Sequence, residues 1–277
     1  MTNLIKLNLA RNCLKYIIRA YGIKEIFIPY YICPVVWLAA REEKCKVKFY
    51  HIDKNFMPVQ KFRHEDFILY VNYFGLCSKN CEYLSLNYKN LIIDNSQSFY
   101  TKPLGLASFN SLRKFFNVPN GAYLYCEKIL QQKFEQDSTD YTPVLFHKNL
   151  EQFIKNELLL NKEITIKRIS PYSEKVLNSI DFEDDKKQRL NLFEKYNEIF
   201  NKSNIIKIKP SPDDIPYCYP LSPDNERLKK ILAGKFILLR LWQDIPQIFA
   251  EHRYLNNTIA LPLNDREYAY KILNYFN

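Results

Sequence analysis

The sequence lacks a hydrophobic stretch long enough to cross a membrane. A membrane-spanning helix needs about 20 apolar residues, whereas the longest apolar stretches here, such as residues 236–242 (FILLRLW), have the length of a core strand. The N-terminal sequence MTNLIKLNLARN also lacks the basic segment, apolar segment and small-residue cleavage site of a secretory signal. We therefore expect a soluble cytoplasmic protein that has no membrane partner.

The sequence also lacks a paired set of metal-ligating residues. Its seven cysteines are an odd number and most lie within apolar runs, which is typical of reduced, buried thiols rather than of a disulfide framework. Cys77 and Cys81 are the most closely spaced pair, but no second pair of Cys or His follows at ligand spacing. We therefore predict no metal site.

No dense basic segment accompanies the formal net charge of +10. The lysines are dispersed through a chain that is rich in Lys, Asn, Ile and Tyr, which indicates a broad compositional bias. A ligand that carries phosphate, together with this bias, explains the charge better than nucleic acid does. Nucleic acid is the weaker alternative, and we expect no nucleic-acid partner.

The first 126 residues alternate between helical and strand patterns. Apolar residues at helical spacing predict a helix over 9–22, and Pro34 suits the first turn of a second helix over 33–44. Short apolar or alternating runs predict strands at residues 25–30, 46–53, 67–75, 91–96 and 121–126. Such alternation is typical of an α/β fold, a mixed, mostly parallel sheet with helices on both sides.

The character of the chain changes after residue 126. Long polar–apolar helices follow, then a Pro-rich extended segment over residues 209–223, then short strands and helices. We predict a large domain over residues 1–164 and a small α+β domain over residues 165–277.

An acid lies at the end of a predicted strand, and an amine follows a second strand-like stretch, LASFNSL. Asp94 ends the apolar strand of residues 91–96, and Lys114 follows in SLRKFFNVPNG, residues 111–121. Taken alone, Asp94 could cap a helix and Lys114 could face water. However, ligands of open α/β sheets collect beyond the carboxyl ends of the strands. Pyridoxal phosphate (PLP) chemistry needs such a pair, a lysine that binds the cofactor and an acid that keeps its pyridine nitrogen protonated.

A phosphate-bearing cofactor also needs hydrogen-bond donors. The sequence LARN begins the first predicted helix, so its backbone N–H groups could bind phosphate. Ser108 and Ser111 could add hydroxyl groups. Each of these features is common in α/β proteins, and their order along the chain is more informative than their presence.

That order resembles the fold-type I PLP enzymes of the DegT/StrS sugar aminotransferase family. IIDNSQSF is similar to the family's Asp-x-x-Gln block, and SFNSLRKFFNVPNGAYL is similar to its Ser-Phe…Lys…Gly block. The resembling stretches follow the family's order over nearly the whole chain: LARNCLKYII, IPYYICPVVW with KVKFYHID, ILYVNYFG, LIIDNSQSF, SFNSLRKFFNVPNGAYLY, RLNLFEKYNEIF, CYPLSPDNERLKKILAGKFILLRLW and LPLNDREYAYKIL.

The resemblance implies roles around the cofactor ring. Lys114 would be the catalytic lysine, which binds the cofactor covalently and moves the substrate proton. Asp94 would pair with the pyridine nitrogen, and Gln97 would lie near the phenolic oxygen or the ring face. Tyr31, in the sequence PYYICP, would stack on the ring.

The resemblance also implies a phosphate site. The backbone N–H groups of Arg11 and Asn12 would hold the phosphate, together with Ser111 or Ser108. The choice between the two serines stays open, because their spacing from Lys114 differs from the commoner pattern of the family.

The implied function is that of a PLP-dependent aminotransferase, a homodimer that moves an amino group from an amino-acid donor to a nucleotide-linked keto-sugar in surface polysaccharide biosynthesis. Two departures leave alternatives open. The chain begins at the phosphate-binding helix without the family's N-terminal arm, and Pro119, Asn120 and Gly121 replace the usual acidic residue and paired glycines. The alternatives are a PLP-dependent sugar dehydratase or other PLP enzyme, and a shortened homologue that acts as a binding protein.

Overall fold

A computed structural model describes residues 2–242 and 244–276 of the protein. In the first part of the chain, strands alternate with helices: β1 (Asn3–Leu7), α1 (Ala10–Tyr21), β2 (Glu25–Pro29), α2 (Pro34–Glu42), β3 (Lys46–Tyr50), β4 (Ile68–Val71), α3 (Ser78–Asn87), β5 (Leu91–Asn95), β6 (Ala107–Asn110) and β7 (Ala122–Cys126). Short 3-10 helices follow β4 at Tyr73–Gly75 and β6 at Leu112–Lys114.

The second part of the chain is mainly helical. Its elements are α4 (Leu150–Lys162), α5 (Pro171–Leu177), α6 (Phe182–Phe200), β8 (Cys218–Leu221), α7 (Glu226–Lys235), β9 (Leu239–Arg240), α8 (His252–Leu255), β10 (Ile259–Pro262) and α9 (Arg266–Phe276), with a 3-10 helix at Asn201–Ser203. In the described residues, no helix combines the length and the apolar character that a membrane crossing requires.

The seven strands β1 to β7 form one sheet in the order β1-β7-β6-β5-β4-β2-β3. The pairs from β3 through β2, β4 and β5 to β6 are parallel, whereas β7 is antiparallel to both β6 and β1. This mixed, mostly parallel sheet confirms the predicted fold class. The predicted helices and strands of the first 126 residues all occur within a few residues of their expected bounds.

Burial explains why these segments form central strands. Every residue of β4 and β5 is buried, as expected for strands that are covered on both faces. Helix α1 packs Leu14 and Ile17 into the core and ends at Gly22, whose φ of +64° is a left-handed conformation that favours glycine.

A second, three-stranded antiparallel sheet, in the order β8-β10-β9, lies in the C-terminal part, where α6 packs against α9 and β8. The buried apolar residues of both sheets belong to one hydrophobic cluster, and a smaller cluster lies around Leu112, Phe115 and Phe116 beside Lys114. The domain boundary at residues 164 and 165 stays a prediction.

Candidate active site

The C-terminal ends of β5 and β6 bring the predicted acid and lysine to one edge of the sheet. Asp94 is the penultimate residue of β5 and pairs with Val71 of β4 and Phe109 of β6. Lys114 ends the 3-10 helix that follows β6, and it is half-buried. Its Nζ lies 5.9 Å from the centre of the Tyr217 ring. Both residues therefore lie at the edge where parallel sheets bind ligands.

Asp94 is a buried carboxyl group beside a cation. Burial raises the pKa of Asp94 above its ordinary value, and the charge of Lys114 and hydrogen bonding from Ser96 offset part of this rise. The Oδ1 atom accepts a hydrogen bond of 2.8 Å from the Ser96 N–H. The arrangement keeps a buried carboxyl group close to the Lys114 amine, which suits an acid that pairs with a protonated ring nitrogen.

The side-chain amide of Gln97 is held in one orientation by a backbone hydrogen bond. Its Oε1 accepts a hydrogen bond of 2.7 Å from the Phe74 N–H, so the amide nitrogen must lie on the other side. Gln97 is buried, and its Nε2 has no hydrogen-bond partner within the part of the chain that the structure describes. An acceptor on a ligand would satisfy this nitrogen.

A cavity of about 420 Å³ opens beside Lys114. Gln97 and Ser111 line it, together with Arg113 and Tyr217. Its other walls come from the loop and helix that follow β7 and from the smaller sheet. These walls include residues 143–147 and 237–242, Tyr141, Phe153, Asn156, Glu157, Pro262, Asn264 and Tyr268. The cavity therefore lies between the large sheet and elements from the second half of the chain.

Three predicted ring-side or phosphate residues, Lys114, Gln97 and Ser111, line this cavity, and Asp94 lies close enough to interact with Lys114. Ser108 lies in β6 and does not line the cavity; its Oγ is buried without a partner among the described residues. Tyr31 is also away from the cavity wall. Its buried ring stacks on Tyr73, with ring centres 5.8 Å apart. Cys33, two residues later, lines the cavity instead.

Arg11 and Asn12 in the first turn of α1 do not line the cavity either. Their side chains bind the segment that follows α4: Arg11 Nη1 donates to Asn161 Oδ1 at 3.1 Å, and Asn12 Nδ2 donates to the Thr165 carbonyl at 2.8 Å. The Asn12 N–H donates to the Leu9 carbonyl at 3.0 Å. Arg11 Nη2 also donates to the Leu160 carbonyl in the last turn of α4, at 3.4 Å. The predicted role of the Arg11 and Asn12 backbone N–H groups at a phosphate stays a prediction.

Sequence reasoning missed several residues of the cavity wall. Arg113, next to Lys114, forms an ion pair with Glu157 of α4. His147 binds Asp265 with 2.9 Å between Nε2 and Oδ2, and its ring stacks on Tyr268 at 3.9 Å. The only local signal was the basic pair at 113 and 114, because the other partners are brought together by the fold.

The structure gives no support for a metal site. In residues 2–242 and 244–276, no group of three or more His, Cys, Asp or Glu side chains could hold a metal ion. The donors on the cavity wall are instead amines, guanidinium groups and amides, which suit an organic ligand with acceptor groups.

Comparisons with known proteins identify the fold. No protein-family model matches the sequence, and no curated protein matches it. Solved structures do match. A DegT DnrJ EryC1 StrS aminotransferase from Brucella abortus has 13% sequence identity and a TM-score of 0.65, and the match covers 99% of this chain and 85% of that one.

Two further structures are similar. NtdA from Bacillus subtilis, with bound cofactor PMP, has 12% identity and a TM-score of 0.66, with 98% of this chain and 72% of that chain covered. The sugar aminotransferase CalS13 from Micromonospora echinospora has 8% identity and a TM-score of 0.61, with 98% and 86% covered. The chain therefore has the fold of the DegT/DnrJ/EryC1/StrS sugar aminotransferases, as the resemblance implied.

Proposed function

We propose that the protein is a PLP-dependent aminotransferase that transfers an amino group to a nucleotide-linked keto-sugar in surface polysaccharide biosynthesis. The observation that carries this proposal is the placement of Asp94 and Lys114. The two residues interact at the carboxyl edge of a sheet whose fold is that of sugar aminotransferases, beside a cavity of about 420 Å³. A cavity of this size is within the usual range for small-molecule sites, roughly 300–1,000 Å³.

The residues around the cavity fit the ring of the cofactor. In this proposal, Lys114 would bind the cofactor covalently, and Asp94 would pair with its pyridine nitrogen. Gln97 Nε2, which has no partner among the described residues, would donate a hydrogen bond to an acceptor of the cofactor. A bound PLP would supply an electron sink for the bond-breaking step. PMP is bound to NtdA, one of the proteins with this fold.

Side chains of the protein itself would move the proton and shape the site. The Lys114 amine would move a proton at the reacting carbon of the substrate. Burial raises the pKa of Tyr217, so the phenol that flanks Lys114 keeps its proton and presents a neutral ring. Val144, Leu145 and Phe146 add an apolar wall that excludes water from the reacting groups.

The substrate and partner assignments are parts of the same proposal. Arg113 and Arg240 on the cavity wall and the net charge of +10 favour a substrate with phosphate groups, such as a nucleotide-linked sugar. An amino acid would be the amino donor. We propose a homodimer in the cytoplasm, on the resemblance to the family.

Absorption spectroscopy tests the proposal directly. Wild-type protein incubated with PLP should show the near-visible band of a lysine-bound cofactor, and borohydride should trap it on Lys114. The Lys114→Ala variant should lack the band, whereas the control Lys155→Ala, at an exposed lysine of α4, should keep it. Glutamate or another amino donor should bleach the band. A wild-type protein that stays colourless and binds no PLP would contradict the proposal.

A second candidate function is a relative that has this fold and binds a ligand without catalysis. Neither Arg11 nor Asn12 lines the cavity, which favours this alternative, because the implied phosphate site would then lie apart from the cavity. Amino-donor turnover separates the candidates. Release of PMP from the protein excludes the binding protein, and a PLP-dependent dehydratase would consume a sugar without consuming the donor.

A further inference from the structure

Two residues of the cavity wall have a buried donor that finds no acceptor among the residues the structure describes. Gln97 Nε2 and Arg113 Nε are both buried, and neither has a hydrogen-bond partner in the described parts of the chain. Rotating the Gln97 amide would not remove the mismatch, because its oxygen is held by the Phe74 N–H. A buried donor without an acceptor is costly. The cavity is therefore suited to a ligand that brings acceptors.

The charges on the cavity wall have one predominant sign. Arg113, Lys114 and Arg240 line the cavity, and Glu157 is the one carboxylate that lines it among the described residues. Arg11 is also near: burial lowers the pKa of its guanidinium, and the charge of Arg113 lowers it further. Two guanidinium groups that repel each other favour an anion nearby.

Glu157 neutralises Arg113 only in part. The Glu157 carboxylate binds Arg113 Nη2, and the Nε of the same guanidinium has no acceptor within residues 2–242 and 244–276. A guanidinium has five N–H groups and can bind two oxygens of a carboxylate or phosphate side by side. Arg113 therefore keeps donors for a second anion, or for one that replaces Glu157.

Ser111 adds a hydroxyl group on the same wall. It precedes the 3-10 helix Leu112–Lys114, but its side chain does not cap that helix. It lines the cavity two residues from Arg113. Ser111, Arg113 and Lys114 of one short segment all line the cavity, whereas neither Arg11 nor Asn12 of α1 does.

We propose that Arg113 binds a phosphoryl group of the ligand, beside Ser111, to which the family resemblance already gives a phosphate, and that Glu157 is an internal counter-ion which this group displaces. The inference rests on the proposed function where the phosphoryl group is that of PLP. The diphosphate of a nucleotide-linked substrate has the same chemistry, and the experiment separates these two sources.

The first experiment titrates cofactor-free protein with inorganic pyrophosphate in a calorimeter. Because charged hydrogen bonds are strong, Arg113→Met should weaken binding by about tenfold or more, and Glu157→Gln should strengthen it by about threefold or more. Glu151→Gln, at an exposed acid on the same helix, is the control for Glu157 and should bind as the wild type does.

A double variant protects this test against misfolding. Arg113→Met alone leaves the Glu157 carboxylate without its cation, which could destabilise the fold. The double variant Arg113→Met with Glu157→Gln removes both charges, so no unpaired carboxylate remains. The double variant should fold as the wild type does, by circular dichroism, and should still bind pyrophosphate about tenfold or more weakly. Pyrophosphate binding that is unchanged in both Arg113 variants would overturn the inference.

The second experiment compares PLP with pyridoxal, which lacks the phosphate. If the cofactor supplies the phosphoryl group, the preference for PLP should fall by about tenfold or more in Arg113→Met, and PLP should block pyrophosphate binding. If PLP-loaded protein still binds pyrophosphate through Arg113, the substrate supplies the group.

The outcomes also separate this inference from the proposed function. If no absorption band forms with PLP but pyrophosphate binds through Arg113, the proposed function fails and the anion site stands. If the band forms and Arg113→Met changes neither pyrophosphate binding nor the preference for PLP, the proposed function stands and this inference fails.

Discussion

Arg189 Nη2 donates a hydrogen bond of 2.9 Å to the carbonyl oxygen of Phe115, the residue that follows Lys114. Arg189 lies in α6 and is fully buried, and its guanidinium stacks over the Phe115 ring at 4.5 Å. Its Nε donates to Asp185 Oδ2 at 2.7 Å, and that oxygen also accepts a hydrogen bond of 2.6 Å from Tyr100. Helix α6 therefore holds the backbone beside Lys114.

Replacing Arg189 should destabilise the protein and disturb Lys114. Arg189→Met keeps much of the side-chain volume, but it removes the cation that pairs with Asp185 and the hydrogen bond to the Phe115 carbonyl. Removing one partner of a buried ion pair costs about 3–5 kcal/mol. Urea unfolding should show a loss of this order, and the absorption band with PLP should weaken.

Lys155→Met is the control for Arg189, because it breaks an exposed pair with Glu151 in α4. Its unfolding free energy should change by less than about 1 kcal/mol. A loss in Arg189→Met as small as that of the control would show that the buried pair contributes little.

Gly75 should not tolerate a side chain. Its φ is +74°, and a Cβ atom there would lie 2.6 Å from the Gln97 carbonyl oxygen and 2.8 Å from that of Ile215. Both neighbours are backbone atoms, so Gly75→Ala should cost at least about 2 kcal/mol in unfolding free energy. The turn also bears on the site, because the Phe74 N–H binds Gln97 and the Phe74 carbonyl accepts from Tyr217.

Gly234 provides the matched control. It lies in α7, and a Cβ there meets no atom within 4 Å. Gly234→Ala should stabilise the protein by roughly 0.5–1 kcal/mol, because alanine has the higher helix propensity. Opposite signs for the two alanine variants in urea unfolding support the steric argument, and similar small effects would refute it.

Much of the fold could be predicted from the sequence because its signals are local. Continuous apolar runs indicate β4 and β5, which are buried on both faces, and helical spacing with Gly22 indicates α1. Strand β1 was missed. It is five residues long and half-exposed, and its partner β7 lies over 100 residues away, with Leu7 opposite Ala122. A non-local pairing of this kind leaves little trace in the sequence.

The candidate site could be predicted only in part, for a similar reason. Asp94 and Lys114 lie in motifs whose order along the chain is informative. Arg113 and Glu157 are 44 residues apart, and nothing in the sequence of α4 indicates which face meets the cavity. The direction of Tyr31, against Tyr73 instead of the cavity, is likewise decided by packing.

His147 should hold the cavity wall formed by residues 143–147 in place. Its ring stacks on Tyr268, and its Nε2 binds the buried Asp265, which also caps α9 by accepting the Tyr268 N–H at 3.0 Å. His147→Ala should remove the stack and the side-chain contact. Hydrogen exchange measured by mass spectrometry should become at least about threefold faster in residues 141–149, because the opening free energy of this segment falls.

Lys148→Ala is the control for His147. Lys148 also pairs with Asp265, at 3.2 Å, but its side chain is 55% exposed. Exposed ion pairs contribute little, so exchange in residues 141–149 should stay near the wild-type rate. Equal acceleration in both variants would indicate that the Asp265 charge, rather than the buried His147 ring, holds the segment.

Asp94 should make the stability of the cofactor-free protein fall as the pH rises. Burial raises its pKa above the ordinary value, with Lys114 offsetting part of the rise. The folded state therefore binds a proton more readily than the unfolded state does. The unfolding free energy should decrease from about pH 4, near the pKa of an exposed aspartate, through the raised pKa. Asp94→Asn removes this titration and keeps an acceptor for the Ser96 N–H.

Urea unfolding at pH 4.5 and pH 7 measures the effect. The stability of Asp94→Asn relative to the wild type should be greater at pH 7 than at pH 4.5. If the proposed function holds, the variant should also bind PLP more weakly, because it lacks the charge that we propose pairs with the ring nitrogen. Asp213→Asn, at an exposed aspartate, is the control and should follow the wild-type pH dependence. The stability difference between Asp94→Asn and the wild type could instead be equal at both pH values, or smaller at pH 7. In that case the ionised Asp94 would not destabilise the folded protein, and the proposal that a buried carboxylate pairs with the ring nitrogen would lose its physical basis.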